Sequence, residues 1–518
     1  MMSNGERAKD ILLGFYVAGI IIGGGILALP FAARDMGLPL LIFSLVLFGL
    51  IFHIVYLRIL DSISISIRDA AKVPAGLILY DHAMYSSGLG KYSKSAFTIG
   101  LLLYVIPADI VYVLYGMKSI HALSSILSAT TDKILIFIGI VLCLATFFAT
   151  FFMCRFRKRM LHLHEVFASK FVLMVSIWLV GIGVVGLIEG QDICIVVSSL
   201  FFVLSLVIGE FYPEKIFGIY MDIYDIADLL PKHKVSSYLT IIKISLILLI
   251  PAIGFILIYT NVGFVGTIPV FPSDIASLIY SITIIIFMYV GSGIYNILAY
   301  NWIANNLSRG KKAVLMATML AMLTYIAFTI LIISAVDKVI LIESDLNREH
   351  AFISLSKQLT YIGLTTLGYT TVISANIFAL VSVSVAYTGF TDTLAECINL
   401  DFEMDPDYIW LFTTVAIAII ATLLEIFNVT RFATDALGVA GNAGGGVFIL
   451  VLPWLLNDPR GGKRIKTAIF FLSIVILLNI FLALNSSTFL AKMIAVVATV
   501  LTLLFSLLAI NEARLKGK

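Results

Sequence analysis

Apolar residues run through this chain in blocks of about 20 to 30 separated by short polar stretches, and a helix needs about 20 to cross a bilayer. The pattern predicts apolar helices near 11–31, 37–60, 95–118, 133–153, 166–188, 194–221, 237–260, 275–303, 313–336, 355–390, 408–428, 434–456, 466–484 and 489–511, about fourteen spans. The stretch 351–400 is too long for one simple span and too short for two, which predicts a break within it. The first block is interrupted by Gly19-Ile-Ile-Ile-Gly23-Gly24-Gly25-Ile-Leu-Ala-Leu-Pro30. Three consecutive glycines cost a helix roughly 1 kcal/mol each relative to alanine, so a broken helix is expected where hydropathy demands a span. Broken backbone inside a bilayer is tolerated only where protein or a water-filled cavity covers it. The eighth block carries a second interruption, Met288-Tyr-Val-Gly291-Ser292-Gly293-Ile-Tyr295-Asn296.

Composition places the chain among polytopic membrane proteins. Of 518 residues, 61% are hydrophobic and 13% charged, where a soluble protein averages about half and a quarter; mean hydropathy is +1.07. A net charge of +3 points to no nucleic-acid partner, so the placement of the basic residues carries the information. Arg7 and Lys9, Arg155 to Arg159, Lys232 and Lys234, Arg309 to Lys312 and Arg460 to Lys466 fall in alternate loops, which predicts that these loops and both termini are cytoplasmic. The acidic loop 392–407 falls on the same side by parity, but acidic residues contribute little to orientation. The four cysteines lack CxxC spacing and read as packing residues, and no cleavable leader is expected at the start.

A helix that restarts after Gly25 leaves the amides of Ile26, Leu27 and Ala28 as a positive end, while unwound carbonyls from Ile20 to Gly23 face the other way and can coordinate a cation. A zwitterion fits both. The alternative is that Gly19 and Gly23 form a small-xxx-small packing face, which leaves the glycine run and Pro30 unexplained. An intramembrane carboxylate costs about 2.5–3.5 kcal/mol on insertion scales, so Asp109, mid-span after Pro107, is a candidate for proton coupling or contact with a substrate amine, against a buried structural hydrogen bond. Glu210, flanked by Gly209 and Pro213, is either a coupling carboxylate or a membrane-edge residue. Lys243, Glu425, Arg431 and Asp435 are expected to snorkel near an interface and receive no role. His162, His164 and Glu165 read as an interfacial polar cluster, so no metal site is expected. The chain lacks a GxxxxGK phosphate loop and an HExxH helix, which argues against a primary pump and against an enzyme.

The first glycine-broken span resembles the first helix of the amino acid/auxin permease and hydroxy/aromatic amino acid permease families of the amino acid/polyamine/organocation superfamily. The stretch from Phe287 to Gly310 with Lys311-Lys312-Ala313 resembles their sixth helix and the basic turn after it. Ser384-Val-Ala-Tyr-Thr-Gly-Phe-Thr-Asp-Thr393 resembles their eighth, and Ala436-Leu-Gly-Val-Ala-Gly441 up to Pro453 their tenth. The resemblance implies an all-α, leucine-transporter-like fold of inverted five-helix repeats within one transporter domain spanning 1–518. The first repeat would cover about 9–190, two extra spans about 194–260, the second repeat about 275–456 and C-terminal spans about 465–512. A competing register makes Ile208-Gly209-Glu210-Phe-Tyr-Pro213 the sixth-helix break. The implied substrate site comprises Gly19, Ile22, Gly23, Gly24, Gly25 and Ile26 with Asp109, Tyr289, Gly291, Ser292, Gly293 and Tyr295, the carboxylate resting on the amides of Gly23 to Gly25. An implied ion site involves Ile20, Gly23, Ser382, Ser384 and Thr388, with Glu210 as a further coupling candidate.

The function expected on these grounds is secondary active transport of an amino acid across the plasma membrane, driven by H+ or Na+ and needing no other cofactor, with the lipid bilayer as surroundings. The alternative is a non-transporting sensor that retains the transporter fold.

Overall fold

A computed structural model describes residues 4–34, 36–69, 91–156, 163–188, 190–217, 230–266, 271–272, 275–290, 307–363, 366–429, 431–455, 462–485 and 489–516. Among these residues the chain is helical throughout, and nine helices are long and apolar enough to cross a membrane; a bent pair, Ile11–Gly19 with Gly24–Ala33, makes a tenth. Lys133–Ala149, Val172–Leu187 and Leu278–Tyr289 are shorter apolar helices. This is an α-helical, multi-pass integral membrane protein.

Helix α1 (Asn4–Ile21) stops at the glycine run, a 3-10 turn follows over Gly24–Ala28, and α2 (Leu29–Ala33) carries the chain on at a 60° bend. Helices α3 (Leu38–Asp69), α4 (Lys91–Thr130), α5 (Lys133–Phe156), α6 (Leu163–Leu187), α7 (Gln191–Phe217) and α8 (Leu230–Val262) come next. Helix α9 (Ile275–Tyr289) ends two residues before Gly291, and α10 (Leu307–Ala335) begins the next described stretch.

The expected break within 351–400 falls at Ile362 and Gly363, the latter at φ +88°. Before it lie two short helices, α11 (Lys338–Leu346) and α12 (Ala351–Tyr361), forming a hairpin; after it α13 (Thr366–Phe402) is one long span. Of the 355–390 block, therefore, the first part belongs to the hairpin: α12 buries Phe352, Leu355 and Leu359 in the core and its length of 11 residues is too short to cross. Helix α14 (Pro406–Ile426) and α15 (Phe432–Val439) follow. A π-helical stretch over Ala440–Val451 then leads into α16 (Leu452–Leu455), and α17 (Gly462–Asn485) and α18 (Phe489–Lys516) close the chain.

Packing sorts these helices into centre and rim. Helix α4 is the axis: it packs against α13, the π-helical stretch, α18, α7 and α6, and most of its span is buried. Helix α1 packs on α10 and α8, and α9 packs on α15 and the π-helical stretch. Helix α5 rests mainly on α6 and presents Ile134, Leu135, Phe137 and Leu142 outward, as a lipid-facing rim helix does.

Candidate functional site

The two interrupted spans meet at the centre of the bundle, and the free backbone groups there have identifiable partners. When a helix stops, its last carbonyls lose the amides four residues ahead. In α9 these are the carbonyls of Met288, Tyr289 and Val290. Tyr325 of α10 donates to the Met288 carbonyl at 3.0 Å, Tyr56 of α3 donates to that of Tyr289, and Tyr104 of α4 donates to that of Val290 at 2.5 Å. Tyr325 also donates to the Ile21 carbonyl at 2.8 Å, so one hydroxyl bridges the two breaks.

At the first break the Gly23 amide turns to the Ile21 carbonyl at 2.9 Å, which releases the carbonyl of Gly19. The Lys243 ammonium, from α8, donates to that carbonyl at 3.3 Å and also to the carbonyl of Ile22. The amides of Gly24 and Gly25 open the 3-10 turn and have no acceptor within it.

None of Gly23, Gly24 and Gly25 adopts a positive φ; what the run requires is space. A Cβ on Gly25 would lie 2.6 Å from the Phe287 ring, and one on Gly24 would lie 3.0 Å from the Tyr112 ring and 3.5 Å from the Val383 backbone. A Cβ on Gly23 would meet nothing within 4 Å, which is the open side of the break. Tyr104, Tyr112, Phe287 and Phe390 form a continuous aromatic wall beside it, with ring centroids 5.1 to 5.6 Å apart.

Asp109 sits one helical turn before Tyr112 on α4 and is fully buried. Thr391 of α13 donates to its Oδ2 at 2.9 Å, while Oδ1 has no hydrogen-bond partner. Ser382 and Ser384, also on α13, are buried with unpartnered hydroxyls; Thr388 instead donates back to the carbonyls of Ser384 and Val385 at 3.2 Å. Tyr289 turns its ring toward α3 and α10, stacked on Phe52 and edge-on to Tyr325, with its hydroxyl donating to the Leu45 carbonyl at 2.8 Å. A buried tyrosine holding three helices together is the role that geometry gives it, whereas the resemblance had implied a pocket wall.

Gly291, Ser292, Gly293 and Tyr295 lie outside the described residues, as does the side chain of Ile20. The competing register for the sixth helix meets a continuous helix, since α7 runs through Gly209 and Pro213 without interruption; the side chain of Glu210 lies outside the described residues.

Lys243 is the main correction among the residues read from sequence. It does not snorkel to an interface; its ammonium is drawn to the first break because that is where helix carbonyls are free. The signal was present: a lysine within an apolar span asks for a partner in the same way as Asp109 does. Glu425, one residue before the end of α14, likewise does not snorkel: it is buried between Lys118 and Arg348.

A second polar layer lies toward the hairpin. Arg34, at the end of α2, pairs with Asp345 of α11 at 3.5 Å, and Thr434 of α15 donates to the same carboxylate at 2.9 Å. Arg431 approaches it at 3.7 Å. Burial pushes the Asp345 carboxyl above the usual range, and Arg34, Thr434 and Arg431 pull it back only in part. His350, between the hairpin helices, is fully buried and shares a 2.7 Å hydrogen bond with Ser119 of α4; burial pushes its pKa down to about 3. The hairpin is thus fastened to the short helix α2 and to α4, α14 and α15.

No protein-family model matches this chain, and no curated protein matches it either.

Proposed function

We propose that this protein is a secondary active transporter of amino acids driven by protons, working by alternating access around the two broken spans. The observation that carries the reading is the Lys243 ammonium on the carbonyls of Gly19 and Ile22. Those carbonyls are the cation ligands that a sodium-driven cycle would need, and a protein-borne cation already holds them. A proton that leaves Lys243 frees them and loosens α1 from α8, so protonation and the packing of the inner half-helix are linked. Asp109, buried with one oxygen unpartnered, supplies a second group able to carry a proton within the bundle.

The substrate carboxylate rests, on this reading, at the amides of Gly24 and Gly25 on the open side of Gly23. Helices α1 and α9 each begin a five-helix repeat, and each packs on the last helix of its own half, α8 and α15 respectively. That symmetry favours α5 and α6, at 133–187, as the added pair, in place of the two spans at 194–260. The basic loops face the cytoplasm, which puts the α11–α12 hairpin outside, as a lid tied to α2 by Arg34 and Asp345.

The test is uptake of a labelled amino acid panel into proteoliposomes under imposed H+ or Na+ gradients. We expect saturable uptake that follows the H+ gradient and ignores Na+, and a Lys243→Met variant whose gradient-driven uptake falls at least about tenfold, equivalent to about 1.4 kcal/mol. Uptake driven by Na+ in the wild type, or unchanged proton-driven uptake in Lys243→Met, would overturn the proton assignment. No exchange with any amino acid would favour the sensor.

A further inference from the structure

At the hairpin end of the bundle a cavity of about 30 Å³ lies between α4, the start of α7 and the end of α14. Lys118, His121, Gln191, Ser198 and Glu425 supply its polar lining. Glu425 carries two cations, Lys118 on one carboxylate oxygen and Arg348 at 2.9 Å on the other. Two positive charges and one negative leave this cluster at +1. The excess is held in a poorly solvated place: the side chains of Arg348 and Glu425 are 2% and 5% exposed and that of Lys118 is 18% exposed. An uncompensated charge there is expensive.

Two further groups at the cavity are short of partners. The Ser198 hydroxyl is buried, with the residue 1% exposed, and has no hydrogen-bond partner; neither has Nδ1 of His121. We propose that this cavity binds a single chloride ion. Its volume holds about two water-sized spheres, enough for one monatomic anion and too little for a carboxylate, phosphate or sugar. Its lining offers donors of every kind an anion uses: an ammonium, an imidazole N–H, a hydroxyl and a side-chain amide. A metal cation would raise the excess to +2 or more and would find one carboxylate, already shared. Water alone would satisfy Ser198 and His121 but leave the charge.

Chloride at this place neutralises the cluster that ties Arg348 of the hairpin to α4 and α14, so it favours the form in which the hairpin is fastened. Its occupancy is read from folding stability, without reference to transport. Thermal unfolding of the purified full chain is followed in chloride, bromide and gluconate salts at equal ionic strength. We expect chloride and bromide, but not gluconate, to raise the midpoint saturably, since a ligand that binds only the folded state stabilises it. In Ser198→Ala the half-saturating chloride concentration rises about fivefold, the equivalent of one lost hydrogen bond. In Lys118→Met the chloride response disappears; where that variant fails to fold, Ser198→Ala keeps the test. Crystals grown in bromide show an anomalous peak among Lys118, His121 and Ser198. Identical midpoints in chloride and gluconate, an unshifted response in Ser198→Ala, or water in place of bromide would each overturn the site.

Discussion

Gly24 and Gly25 are glycines because neighbouring rings stand where a side chain would begin. Gly24→Val drives two methyl groups into Tyr112 and the Val383 backbone, and we expect it to lose saturable substrate binding while still inserting into membranes, checked by equilibrium binding on purified protein. Gly23→Ala meets nothing and is expected to fold with wild-type thermal stability, within about 0.5 kcal/mol. Asp109 calls for a different test. Asp109→Asn keeps an oxygen for Thr391 and cannot release a proton at neutral pH, so proton-driven uptake should fall at least about tenfold while substrate counterflow continues. Loss of both activities together would make Asp109 a structural hydrogen-bond acceptor only.

The hairpin is the element whose chemistry depends most on burial. His350 is held neutral, with a folded pKa of about 3 against 6.5 when unfolded. A histidine with a depressed folded pKa contributes stability that is fully present above 6.5 and is lost as pH falls from 6.5 toward 3, with a slope of at most about 1.4 kcal/mol per pH unit. Asp345, raised by burial, acts in the opposite sense above its ordinary value, so the histidine term is isolated as the difference between wild type and His350→Gln. Unfolding followed by the exposure of a cysteine placed in the hairpin should show the wild type losing stability faster than His350→Gln between pH 6.5 and 4. Parallel curves would mean that His350 already reaches solvent.

Across the whole molecule, α8 bears on the broken first span, whereas α5 rests mainly on α6 at the rim. Substitutions that add the same side chain at each helix's contact separate them. A side chain at Gly19 enters Thr240 of α8, so Gly19→Leu should cost about 1–3 kcal/mol through overpacking. Gly139→Leu on α5 meets nothing within 4 Å and should be silent in a thermal melt. Equal effects would place α5 inside the bundle.

Hydropathy alone determined that the chain crosses a membrane many times, because the bilayer fixes the length of an apolar helix and punishes every unpaired amide. The glycine run from Gly23 to Gly25 determined in the same way that the first span is broken, and the awkward length of 351–400 that a break lies within it. Tertiary structure alone decided what the broken backbone touches. Tyrosine hydroxyls from three helices cap the carbonyls of Met288, Tyr289 and Val290, and the lysine that reaches Gly19 comes from a helix more than 200 positions away along the chain. Such partners share no local pattern: a tyrosine or lysine within an apolar span has the same sequence signature whether it meets lipid, a headgroup or a freed carbonyl, and only the packing of distant helices distinguishes them.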